Sequence, residues 1–129
     1  MKSIKESARG LKQIEKKSIF ICTLFKISTK EEAEHYLQRI KIEFVKASHN
    51  AFAYRIGHPV TWEESSDDGE VKGCAGKPLM DILRKKELTN ILVIVTRFYG
   101  GVNLGTGGLI RNYSKSALEL IDKVGIIEL

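Results

Sequence analysis

Five glycines fall within nine residues of the stretch "VTRFYGGVNLGTGGLIRNYSKSAL", at Gly100, Gly101, Gly105, Gly107 and Gly108. An apolar run precedes them and an amphipathic helical pattern follows. Strand, glycine-rich turn, helix start is the order in which bare backbone N–H groups and the positive end of a helix dipole hold an anion, phosphate first of all. Arg97 before the glycines and Arg111 after them can add guanidinium contacts to phosphate, Asn103 and Thr106 can add small donors, and Lys77 a further cation. The competing reading is that the glycines only let the chain turn and let helix and strand pack closely, with both arginines solvated; the residues alone leave both open. Two nucleotide motifs are excluded. A P-loop begun at Gly100 reaches Gly105 but continues with Thr106 and Gly107 instead of Lys and Ser or Thr, and a dinucleotide fingerprint begun at Gly105 ends on Ile110.

A second cluster is acidic. Glu63, Glu64, Asp67, Asp68 and Glu70 stand against Lys72 alone, a net charge of −4 over residues 61 to 73. Clustered carboxylates can hold a divalent cation or do acid-base work, and Asp67, Asp68 and Glu70 are the candidates, but their spacing is not that of an EF-hand. A solvated turn is the leading reading of this run. Cys74 among glycines, His49 at a strand start, Trp62 and the Phe98-Tyr99 pair are lone candidates. Without a placed base the cysteine reads as structural, the histidine reads as hydrogen-bonded, and the aromatics would stack on bases only where exposed. No catalytic residue, metal or cofactor is assigned.

The elements that must position these groups follow from periodicity. "SIFICTLFKI", rich in β-branched and aromatic residues, predicts a strand from Ser18 to Ile27. Ser28 or Thr29 with Glu31 or Glu32 makes a capping box for a helix whose apolar face is Ala33, Tyr36, Leu37, Ile40 and Phe44. "NAFAYRIG" alternates as a half-buried strand, and the polar "HPVTWEESSDDGEVKG" that follows reads as a mobile loop with a possible hairpin tip at Asp-Gly. Pro78 opens a second helix, Ile91 to Val95 form a strand that is covered on both faces or central in its sheet, and the last helix runs from about Gly108 to Val124. The irregular alternation predicts an α+β fold, a two-layer α/β sandwich with helices on one face of a mixed sheet.

One domain is expected for 129 residues with 43% apolar content, in two parts: a basic segment over 1–13 and the domain proper over 14–129. The net charge is +5, and six basic residues against two acidic ones within the first 17 positions carry most of it. That segment reads as a solvated tail or edge, so the overall charge is weak evidence for nucleic acid. No window approaches the roughly 18 apolar residues of a membrane span, and two distant cysteines without CxxC spacing suit reduced thiols, so a cytoplasmic protein is expected.

Three blocks, "HNAFAYRIG", "SSDDGEVKGCAGKPLMDIL" and "NILVIVTRFYGGVNLGTGGLIRNYSKSA", together with "EKKSIFICTLFKISTKEEAE", resemble in order and separation the signature blocks of the YigZ/IMPACT family from about residue 14 onward. The resemblance implies a single IMPACT N-terminal-type domain. Its fold would be like the second domain of a small-subunit ribosomal protein and the fourth domain of the translocating elongation factor. Val71 and Cys74 depart from the family's usual Pro and Thr, so the resemblance lends Cys74 no nucleophilic role. It also implies a link to translational control. The leading expectation is therefore a non-enzymatic module that binds RNA or the ribosome through the glycine turn, Arg97, Arg111 and Lys77. The alternatives are a small phosphate-ester or nucleotide-binding enzyme using the acidic loop with the glycine turn, for which no oriented general base is visible, and an adaptor that docks a protein partner.

Overall fold

The computed structural model describes residues 1–129. Eight strands and three helices follow in the order β1 (Lys2–Ile4), β2 (Ala8–Arg9), β3 (Gln13–Glu15), β4 (Ser18–Lys26), α1 (Lys30–Glu43), β5 (His49–Ile56), β6 (Trp62–Ser66), α2 (Gly76–Lys85), β7 (Ile91–Phe98), α3 (Gly105–Val124) and β8 (Ile126–Glu128). The main sheet runs β2-β4-β7-β5-β6, with β3 also on β4, and β1 pairs separately with β8. Every one of these pairings is antiparallel.

The α+β class holds, with two corrections to its details. The sheet is antiparallel rather than mixed, and helices cover both of its faces. Alternation along the central strand explains the second point. Ile91, Val93 and Val95 join Phe20, Cys22, Leu24, Ala51 and Ala53 in a core under α2 and α3. Leu92 and Ile94 point the other way and meet Tyr54, Ile56 and the Ala33, Leu37 and Ile40 stripe of α1. A strand apolar on both faces needs cover on both.

Local signals mostly act where the residues suggest. Thr29 caps α1 by accepting from the Glu32 N–H at 3.1 Å, while the Glu32 carboxylate reaches back to the Ser28 N–H at 3.2 Å. The polar stretch after β5 is not one loop: Trp62 to Ser66 add an edge strand in register with Phe52 to Ile56. Residues 1–13 are part of the fold, since Ile4 is fully buried in the larger core and β1 pairs with β8.

Candidate functional site

The strand registers gather the first polar groups. Arg97 near the end of β7 lies opposite Phe20 of β4 and His49 of β5. By the period of two, Ser18, His49 and Arg97 continue the rows of side chains that form the core under α2 and α3. At this end of the sheet the core gives way to polar groups. Glu70 enters from the loop after β6 and Tyr113 from α3: the Glu70 carboxylate accepts from Arg97 Nη1 at 2.8 Å and from the Tyr113 hydroxyl at 2.7 Å. Arg97 Nη2 donates to Ser18 Oγ at 3.2 Å, and the Gly100 N–H donates to the same oxygen at 3.2 Å. Burial alone would raise the Glu70 pKa; hydrogen bonds from Tyr113 and Arg97, with the Arg97 charge, more than offset it and hold the carboxyl below its ordinary value. Burial and the Glu70 contact push the Tyr113 phenol upward, so it stays a proton donor. His49 Nδ1 lies 3.0 Å from the Asp68 carbonyl, which can only accept, so that nitrogen carries a proton and Nε2 faces Glu70 at 3.6 Å.

Each carboxylate of the acidic run has a partner, so the run is not a solvated turn. Glu63 pairs with Arg84 at 2.7 Å, and Glu64 accepts from the Tyr54 hydroxyl. Asp67 accepts from the backbone N–H groups of Gly73, Ala75 and Gly76 at 2.9, 3.2 and 2.8 Å, which fastens the loop to the start of α2. Burial opposes ionisation of Asp67, yet these three bonds bring its pKa below the ordinary value. Asp68 accepts from the Asn50 N–H at 2.7 Å. The structure contains no group of three His, Cys, Asp or Glu side chains placed to hold a metal ion. Of the three acidic candidates only Glu70 reaches the glycine turn, and it does so through Arg97.

Cys74 is buried. Lys77 is exposed on the outer side of α2, 3.2 Å from Asp81, and lines a groove between α2 and α3 rather than the turn.

The glycines divide by cause. At Gly100 a Cβ would sit 2.1 Å from the Lys17 carbonyl carbon, so the backbones of the β3-β4 turn and the glycine turn pass too closely for any other residue. Gly101 and Gly105 have φ of +88° and +74°. Gly108 lies against Leu104, whose Cβ would be 3.2 Å away. Gly107 differs: its φ is ordinary and nothing lies within 4 Å of its missing Cβ, so nothing inside the molecule calls for glycine there.

The helix begins three residues earlier than its periodicity suggests, so Gly105, Thr106, Gly107 and Gly108 form its first turn. That turn is bare. α1 has its threonine cap and first-turn glutamates, and the start of α2 has the Asp67 carboxylate, whereas α3 has neither a side-chain cap nor an acidic residue in its first turn. Arg111 is exposed and reaches back over this turn, its Nη2 3.7 Å from the position of a Gly108 Cβ. Arg97, by contrast, is 4% exposed and neutralised by Glu70, so it supports the turn from beneath and does not flank it as a free cation.

A cavity of about 560 Å³ opens between the first turn of α3 and the Glu70 loop, lined by His49, Glu70, Arg97, Tyr99, Asn103 and Thr106 among others. Tyr99 is the residue that sequence reasoning undervalued. Half exposed, it stands over Arg97, whose guanidinium carbon is 5.4 Å from the ring centroid, and its hydroxyl donates to Asn103 at 3.2 Å. Trp62 is also partly exposed, with the Lys30 ammonium 3.7 Å from its ring centroid, but lies on the edge strand away from the turn.

An antiparallel sheet clad on both faces, with a glycine-rich turn leading into an uncapped helix, defines the class of domain. The family model for the Impact N-terminal domain matches residues 16–121, and the chain belongs to the IMPACT family. The IMPACT family member YvyE of Bacillus subtilis is 42% identical over 126 residues, covering 98% of this chain and 58% of that protein. Among solved structures, the crystal structure of a hypothetical protein superposes with a TM-score of 0.91 at 29% identity, over 98% of this chain and 62% of that one. A second, described as the two-domain translational regulator Yih1, gives a TM-score of 0.63 at 21% identity over 94% and 48%, a likeness of fold. The chain thus spans about half to three-fifths of the length of these relatives. No helix is long and apolar enough to cross a membrane.

Proposed function

We propose that this protein is a translation-linked module of the cytoplasm that binds RNA, free or in the ribosome, by seating a backbone phosphate on the first turn of α3. One observation carries the reading: α3 alone among the three helices has no side-chain oxygen accepting from its start, and its first turn holds a surface glycine, Gly107, that the fold does not require. Bare N–H groups at the positive end of a 20-residue helix attract an anion, and the space beside Gly107 lets a phosphate approach the backbone. Arg111 supplies the mobile cation at the same turn, and Arg97 with Glu70 and Ser18 holds the turn in place. The description of the structural relative Yih1 as a translational regulator supports the link to translation.

Binding to ribosomes, separated subunits and a structured RNA at two salt concentrations tests this, with Arg111→Ala alongside. Affinity should fall steeply with salt, because each neutralised phosphate releases counterions, and Arg111→Ala should weaken binding and reduce the salt slope by about one contact. Salt-independent binding, or binding unchanged in the variant, would place the contact elsewhere.

A further inference from the structure

We infer that the cavity beside the turn is a pocket for one unpaired nucleotide, its base stacked on Tyr99 and its phosphate on the first turn of α3. The inference rests on the phosphate reading above and adds what the site selects: a single-stranded nucleotide rather than the backbone of a duplex.

Three independent features converge. The first is the platform. One face of the Tyr99 ring is held over Arg97 and its hydroxyl is tied to Asn103, so the ring is fixed before anything binds. Half of the residue stays exposed, which leaves ring surface free for stacking beside the cavity it lines. Every base has a π-face, so an aromatic fixed in this way recognises an unpaired base of any identity. The second is the floor. Arg97 is 4% exposed and lines the cavity, and its Nε has no hydrogen-bond partner although its Nη atoms are both engaged. That Nε–H, itself shielded from solvent, is hydrogen-bonding capacity on the cavity floor that the protein's own groups leave unused. The third is the start of the uncapped helix: Gly105 and Thr106 of its first turn line the same cavity, while Gly107 and Arg111 lie outside its lining. The volume of about 560 Å³ is in the range that holds a ligand of nucleotide size. A paired base could not enter, because its ring is already stacked within the duplex.

The same chemistry belongs to a free mononucleotide and to a nucleotide within RNA, and the experiment separates them. A 3′-labelled single-stranded octaribonucleotide, the same strand annealed to its complement, and unlabelled AMP and UMP as competitors are titrated against the protein by fluorescence anisotropy. Tyr99→Leu and Tyr99→Phe are run in parallel, with thermal melting to show that each is folded. The expected result is that the single strand binds at least tenfold more tightly than the duplex. Tyr99→Leu should weaken it by about tenfold or more and Tyr99→Phe should stay near wild type, as stacking predicts. Equal affinity for single strand and duplex, or Tyr99→Leu without effect, overturns the pocket while leaving salt-dependent RNA binding at Arg111 intact. Binding of AMP or UMP that Tyr99→Leu abolishes, with no binding of RNA or ribosomes, keeps the pocket and overturns the RNA reading. Binding of none of them overturns both.

Discussion

At the residue scale the site rests on a buried ion pair. Removing one member leaves the other charged and without its partner in the interior, so Arg97→Ala or Glu70→Gln should cost about 3–5 kcal/mol in urea unfolding. Loss of binding in Arg97→Ala therefore reports the fold and not a phosphate contact, which is why Arg111 and Tyr99 are the informative positions. The acid behaviour follows from the same groups. Asp67 and Glu70 have folded pKa values below their ordinary ones, so their stabilisation is present at neutral pH and is lost as pH falls through those lowered values. Melting temperature should hold from neutrality to about pH 5 and drop below about pH 4, and Glu70→Gln should make the drop shallower. The glycines separate in the same assay: Gly100→Ala should destabilise by about 1–3 kcal/mol or more through collision with the Lys17 backbone. Individual residues were legible in the sequence as candidates. Their roles were not, because Arg97 and Glu70 are 27 positions apart and only the folded loop after β6 shows that they neutralise each other.

At the element scale, the Asp67 carboxylate holds the loop that carries Glu70 against the start of α2. Asp67→Ala strips three N–H groups of their acceptor, and a loss of about 1–3 kcal/mol is expected, with faster amide exchange at Gly73 and Gly76. The strands β4, β5 and β7 and helices α1 and α2 were legible from apolar period and capping residues. β6 was not, since its residues are mostly exposed and its glutamates, which pair with Arg84 and Tyr54, read as loop polarity. The early start of α3 was hidden because glycine is a poor helix former, so a first turn of Gly-Thr-Gly-Gly carries no helical signal of its own. Of these glycines, backbone conformation accounts for Gly105 and packing on Leu104 for Gly108, which leaves Gly107 as the one that local structure does not explain.

At the scale of the molecule, periodicity announced the α+β class, but the mixed sheet and single helical layer were wrong because sequence order does not state strand direction or which face a helix takes. The opening basic segment reads as a solvated tail or edge; its short strands lie at the sheet edge and pair with β8, a long-range contact with no local signature. The central claim is that the first turn of α3 is shaped for a ligand's phosphate, and Gly107→Ala tests it most directly, by melting and RNA or ribosome binding measured on the same preparation. Alanine is the better helix former by about 1 kcal/mol and meets no atom of the protein, so the variant should melt at the same or a higher temperature while binding RNA several-fold more weakly. Undiminished RNA binding in a variant of equal or greater stability would contradict the account.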